Sequence, residues 1–135
     1  MRIIKRFGVS IEDELLERFD EVIGKKGYNS RSEAIRDLIR DYIIKEKWET
    51  KGIKVAGTIS IIYDHDIHGL VDKLLDIQHH FHDIIISTLH IHFDEKNCLE
   101  VLVIKGKVER IKKLYDEISS IKWVKHTNIS ITDTI

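Results

Sequence analysis

A chain of 135 residues, 42% hydrophobic and 33% charged, has the composition of a soluble globular protein, and no apolar run approaches the roughly 20 residues of a membrane span. A net charge of −1 excludes a protein that coats nucleic acid through bulk charge, so any DNA contact must be local. A chain this short buries little surface, which makes oligomerisation expected.

The opening MRIIKRFGVS is basic, with Arg2, Lys5 and Arg6 ahead of the first acidic residue, Glu12. It lacks the apolar core and small-residue cleavage site of a signal peptide, so a cytoplasmic location is expected. Residues 6–11 alternate as a short strand, with Phe7, Val9 and Ile11 on one face and Arg6, Gly8 and Ser10 on the other. Ser10 and Asp13 resemble a capping box, after which Leu15, Leu16, Phe19, Val22 and Ile23 repeat at helical spacing as far as Gly24 and Gly27. Ser30 and Glu33 form a second box, and Ala34, Ile35, Leu38, Ile39, Tyr42 and Ile43 stripe a longer helix that runs to about Trp48. A lone strand with two small helices cannot satisfy its edges. Two copies that pair strands antiparallel and interleave helices form a ribbon-helix-helix arrangement, whose ribbon can enter the major groove of DNA. Residues 1–48 are therefore expected to be a DNA-binding domain.

Residues 49–53 form a short hinge around Gly52, and residues 54–135 a second domain. Val55 to Ile61 reads as a strand, residues 65–80 as a helix with Leu70, Val71, Leu74, Leu75 and Ile77, and Ile84 to Phe93 as a second strand. Asp94 to Asn97 turn the chain into a return strand, Cys98 to Ile104. Val108, Ile111, Leu114, Tyr115 and Ile118 mark a helix and Trp123 to Ile131 a last strand. The order βαββαβ predicts a ferredoxin-like unit, α+β in class, with two helices on one face of a four-stranded sheet. The sheet's other face should be covered by another chain.

Seven of the eight histidines (His65, His68, His79, His80, His82, His90 and His92) lie within residues 65–92. His90 and His92, two apart on a strand, leave the same face, and the only cysteine, Cys98, sits across the turn on the neighbouring strand. Two imidazoles and a thiolate suit nickel, copper, zinc or cobalt and exclude calcium and magnesium. A fourth ligand would come from His79, His80 or His82. Seven extended residues separate Asp83 from His90 by roughly 23 Å, so that ligand must belong to a second chain, its sheet stacked on the first. Glu100 lies on the same strand face as Cys98 and is a candidate to orient a ligand histidine. His65 and His68 are expected to be solvated residues at a helix start rather than further weak ligands.

YNSRSEAIRDLIRDYI, QHHFHD and TLHIHFDEKNCLEVLVIKG resemble the nickel-responsive transcriptional regulators called NikR, and the similarity spans essentially the whole chain. The resemblance implies a ribbon-helix-helix domain joined to a ferredoxin-like domain of the ACT type, a homotetramer built as a dimer of dimers, and repression of nickel-uptake genes. It implies one Ni(II) per subunit in a square-planar site of His90, His92 and Cys98 from one chain and His79 from another. It places the DNA-reading side chains at Arg6, Gly8 and Ser10, and Gly8 is a departure, having no side chain to read a base. Ser30 and Arg31 open the second helix as a phosphate clamp, and Arg36 is a further phosphate contact. Glu33 and Asp37, one turn apart, would hold a second cation that pins the DNA-binding domain to the metal domain. The operator should be a palindromic stretch of double-stranded DNA with two separated half-sites. Rival readings are a ribbon-helix-helix regulator or antitoxin that answers to a small metabolite, and a nickel buffer or chaperone. An enzyme is disfavoured, because four ligands saturate a square-planar ion and leave no position for a small-molecule substrate.

Overall fold

Four helices and four strands form among residues 2–135, the residues described by the computed structural model. They fall into two units, Met1–Asp41 and Tyr42–Ile135.

In the first unit α1 spans Asp13–Lys25, and α2 begins at Arg31 and runs on to Trp48. The Ser10 box is not made: α1 starts after Glu12, with no side-chain cap, and the Glu12 carbonyl accepts the Leu16 N–H at 3.0 Å. The second box does form. Ser30 Oγ accepts the Glu33 N–H at 3.2 Å and Glu33 Oε2 accepts the Asn29 N–H at 3.3 Å, so orphan donors at the start of α2 are satisfied from both directions.

The strand expected over residues 6–11 does not form within the chain, and residues 2–12 are exposed without a ladder partner. A strand needs a neighbouring edge, and the one expected from the sequence belongs to a second copy. Phe7, Val9 and Ile11 are exposed with it, and of the helical stripes in this unit only Ile23 and Ala34 are buried.

The second unit is the expected βαββαβ. β1 spans Lys54–Asp64, α3 Leu70–His80, β2 Ile85–His92, β3 Asn97–Lys107, α4 Val108–Ser119 and β4 Val124–Thr132. The strands lie in the order β2-β3-β1-β4, all neighbours antiparallel. Alternation sends Val55, Ile59, Ile61 and Tyr63 of β1 and Cys98, Leu102 and Ile104 of β3 to the helix side, where Leu70 and Leu74 of α3 and Val108, Ile111, Leu114 and Ile118 of α4 cover them. α3 begins at Leu70 rather than at 65. Asp64 Oδ1 accepts the Asp66 N–H at 2.8 Å, and Gly69 takes φ 78, a left-handed conformation that ends the turn and starts the helix late. On the opposite sheet face Leu89 and Ile91 of β2 and Val103 of β3 remain exposed.

Gly57 sets how closely β1 and β4 approach. A Cβ there would lie 2.1 Å from the Ser130 carbonyl oxygen, a backbone atom that cannot swing away. Gly57→Ala should destabilise the second unit by about 2 kcal/mol or more, read as a lowered urea midpoint with an unchanged slope.

Candidate metal centre

The β2–β3 hairpin builds one side of the site. Its register sets His92 opposite Cys98 and His90 opposite Glu100, so all four side chains leave the sheet on the face that carries the helices. Asp94 fixes the turn: its Oδ1 accepts the N–H of Lys96 at 2.9 Å and of Asn97 at 2.8 Å, and its Oδ2 accepts Asn97 Nδ2 at 2.9 Å. These bonds, the Asn97 side chain foremost, hold the Asp94 carboxyl down to about 2.

β1 builds the other side. It pairs with β3 so that Tyr63 is opposite Cys98 and Asp64 opposite Asn97, and His65 follows directly, its N–H donating to the Lys96 carbonyl at 3.1 Å. Cys98 Sγ is 3.4 Å from His65 Nδ1 and 3.9 Å from His92 Nδ1. The three donor atoms lie within 4.8 Å of one another, the one group of three such donors so close among the described residues. The structure thus brings together His92 and Cys98 as expected, and adds His65, read from the sequence as a solvated helix-start residue. The correction follows from the late start of α3: His65 opens the turn directly after β1, and the antiparallel pairing of β1 with β3 carries it to Cys98. His68 stays exposed.

His90 is exposed, its ring 6.1 Å from that of His92 and 6.1 Å from that of Tyr63. His79 lies outside the cluster, exposed on the last turn of α3, with its ring stacked 6.0 Å from that of His82. Two tethers hold that end of α3. Gln78 Nε2 donates to Glu100 Oε2, whose other oxygen accepts the Tyr63 hydroxyl at 3.4 Å. Arg110 Nη2 donates to the His80 carbonyl at 2.8 Å, its guanidinium pairs with Asp83 at 3.1 and 3.3 Å, and its Cζ lies 4.1 Å above the Phe81 ring. Gln78, Tyr63 and Arg110 carry no signal in the sequence that would single them out.

Burial, then the charges of Glu100, Asp64, Asp66 and Asp94, push the Cys98 thiol up. The same acidic surroundings favour a cation, and a divalent ion beside the sulfur reverses the balance in favour of thiolate. Two imidazoles with one thiolate fit a borderline-soft divalent ion. Burial and Glu100 also raise the Tyr63 hydroxyl, which remains a proton donor to Glu100.

In the first unit Arg6, Gly8, Ser10 and Arg36 are exposed. Arg31 is engaged in two bonds with Asp20, at 2.8 and 2.7 Å, and Ser30 caps its own helix. Asp37 accepts the Tyr28 hydroxyl at 2.6 Å and the Arg40 guanidinium at 3.4 Å, while Glu33 holds the Asn29 N–H.

Residues 56–132 match the family described as the NikR C-terminal nickel-binding domain, and residues 5–46 match ribbon-helix-helix proteins of the copG family. The chain belongs to the nickel-responsive regulator family. A relative from Dictyoglomus thermophilum, provisionally named a nickel-responsive regulator, is 72% identical over 135 residues, all of both chains. Another so named, from Thermococcus kodakarensis, is 53% identical over 99% of this chain and 96% of its own. A solved structure of an uncharacterized protein from Thermotoga maritima, 17% identical, superposes with a TM-score of 0.55 over 60% of this chain and all of that one, a likeness of fold alone. The chain is accordingly a nickel-responsive regulator with a ribbon-helix-helix DNA-binding domain followed by a nickel-binding ferredoxin-like domain. No helix among the described residues is long and apolar enough to cross a membrane.

The Asp94 carboxyl, lowered in the folded chain, contributes stability that is complete above pH 3.8 and is lost as the pH falls toward about 2. Asp94→Ala should lower the urea midpoint at neutral pH and remove that part of the acid dependence, followed by circular dichroism across the acid range.

Proposed function

We propose that the protein is a cytoplasmic, nickel-dependent transcriptional repressor of nickel-uptake genes, working as a homotetramer built as a dimer of dimers. One Ni(II) per subunit is held by His90, His92 and Cys98 of one chain and His79 of a neighbour. The observation that carries this reading is the hairpin register that sets His92 against Cys98 and His90 against Glu100 on one face of the edge strand β2. That face is the helix side, so the apolar face with Leu89 and Ile91 is free to meet another chain without covering the donors. The Gln78–Glu100 bond and the Arg110 tether hold the end of α3 so that His79 points outward from an ordered turn.

When bound, the ion supplies a cross-link between chains. A site shared between chains makes its occupancy and the quaternary arrangement each depend on the other. In each dimer the 6–11 segments pair into the ribbon that their exposed, unpaired backbone lacks in one chain, with Arg6 and Ser10 reading bases in a palindromic operator. Gly8, between them, contributes no side chain to base reading. Arg31 joins a phosphate contact by exchanging Asp20 for DNA. A second cation at Glu33 and Asp37 displaces the Tyr28 hydroxyl and the Arg40 guanidinium from Asp37.

The test is a Ni(II) titration followed by thiolate-to-nickel absorption, with and without operator DNA. It should show one ion per subunit, loss of the band in Cys98→Ala, loss of the square-planar spectrum in His79→Ala, and a gain in operator affinity on the order of 5–150-fold. Metal binding with no gain in operator affinity would leave a nickel buffer. An unchanged band in Cys98→Ala would remove the site assignment.

A further inference from the structure

Residues 49–53, expected from the sequence to be a hinge, are bonded to α4 at three points. α2 is one unbroken helix from Arg31 to Trp48, yet the division between the compact units falls inside it, at Asp41 and Tyr42. Its last stretch, from Tyr42 to Trp48, about two turns, therefore belongs with the second unit.

Trp48 packs against the core of that unit, and Lys112 of α4 sets its Nζ 4.9 Å from the centre of the Trp48 ring and 3.9 Å from Glu49 Oε2. Lys47 Nζ donates to Asp133 Oδ2, just past the end of β4. Beyond the helix, Gly52 takes φ 87, a left-handed turn free of strain only for glycine, and its N–H donates to Glu109 Oε2 at 2.9 Å. One residue on, the Ile53 carbonyl accepts the Val108 N–H at 2.9 Å, which satisfies a donor that the start of α4 would otherwise leave open. Any one exposed ion pair here contributes little. Together the contacts join one short stretch of chain to two separate elements. A swivel at 49–53 would break the Gly52 and Ile53 bonds, lift Trp48 from Lys112 and part Lys47 from Asp133 at the same time.

We propose that residues 47–53 are a strap that fastens the end of α2 to the nickel-binding unit, so that the chain has no free swivel there. α2 then works as one lever. At its start stand Ser30 and Arg31, proposed above as phosphate contacts, and its end is held by α4 and the end of β4. A change of state in the nickel-binding unit passes into the helix that carries these contacts instead of being lost in a loose linker, a consequence that rests on the function proposed above.

The strap is tested in the full-length protein on a Trp123→Phe parent, which leaves Trp48 as the one tryptophan. Acrylamide quenching of Trp48 and trypsin cleavage after Lys51, located by mass spectrometry, both report local opening. Glu109→Gln with Asp133→Asn, which touches neither the core nor any proposed metal ligand, should raise quenching and cleavage severalfold with the circular dichroism spectrum unchanged. Lys47→Glu alone should also open the strap, and Lys47→Glu with Asp133→Lys, which reverses the pair, should close it again. That rescue is a result that a general loss of structure would not give. In the Glu109→Gln, Asp133→Asn variant nickel stoichiometry and the thiolate-to-nickel band should match the parent, while nickel's gain in operator affinity falls from the range of about 5–150-fold toward none. Quenching and cleavage as fast in the parent as in the variant overturn the strap, and so does an undiminished nickel gain in a variant whose strap has opened. A parent that binds nickel with no gain in operator affinity refutes the function proposed above instead, and the quenching and cleavage comparison still decides whether the strap is closed.

Discussion

Antiparallel pairing of β3 with β1 on one side and β2 on the other puts Cys98 between Tyr63 and His92, on the face where the helices pack. Almost everything in the second unit that bears on metal chemistry depends on that double register. A slip of one residue in either pair would send Cys98 and Glu100 to the opposite face and take the histidines with them or leave them behind. The hairpin register is held by the Asp94 turn, and that of β1 against β3 is closed at the same end by the His65 N–H to the Lys96 carbonyl. Along the sheet a row of inward side chains, Ile59, Ile61, Leu102 and Ile104, is sealed under the helices, and a slipped sheet would expose all of it.

Glu100 shows how the fold tolerates a carboxylate in this layer. It is 5% exposed, and an isolated buried carboxylate is costly, but both oxygens have donors, Tyr63 and Gln78. The raised Tyr63 hydroxyl keeps its proton for this bond. The network links β1, β3 and the end of α3, and so relates the sulfur to the segment that bears His79. Arg110 of α4 completes the frame from the other side by holding the His80 carbonyl and Asp83.

Both units leave apolar surface that a single chain does not bury. Phe7, Val9 and Leu15 are open in the first unit, and Leu89, Ile91 and Phe93 in the second. The cost of leaving such surface in water is of the order of 25 cal/mol for each Å², so association through both is the economical state. In the N-terminal segment the backbone groups of residues 6–11 are exposed and unpaired within the chain, so an added strand edge would find its donors and acceptors open.

The sequence by itself determined the order of elements in the second unit, the two helices of the first, the second capping box and the placing of His90 and His92 on one strand face, because alternation and helical spacing are local properties of a few consecutive residues. It also carried the family, through motifs that run the length of the chain. What it could not decide was the position of residues 65–69. Helical periodicity extends smoothly back from Leu70, yet the Asp64 turn and the left-handed Gly69 stop the helix there, and the β1–β3 pairing then brings His65 to the sulfur. That contact joins residues 33 apart in the chain. Only the tertiary structure sets such a distance, because it is fixed by strand register and not by any pattern within either segment.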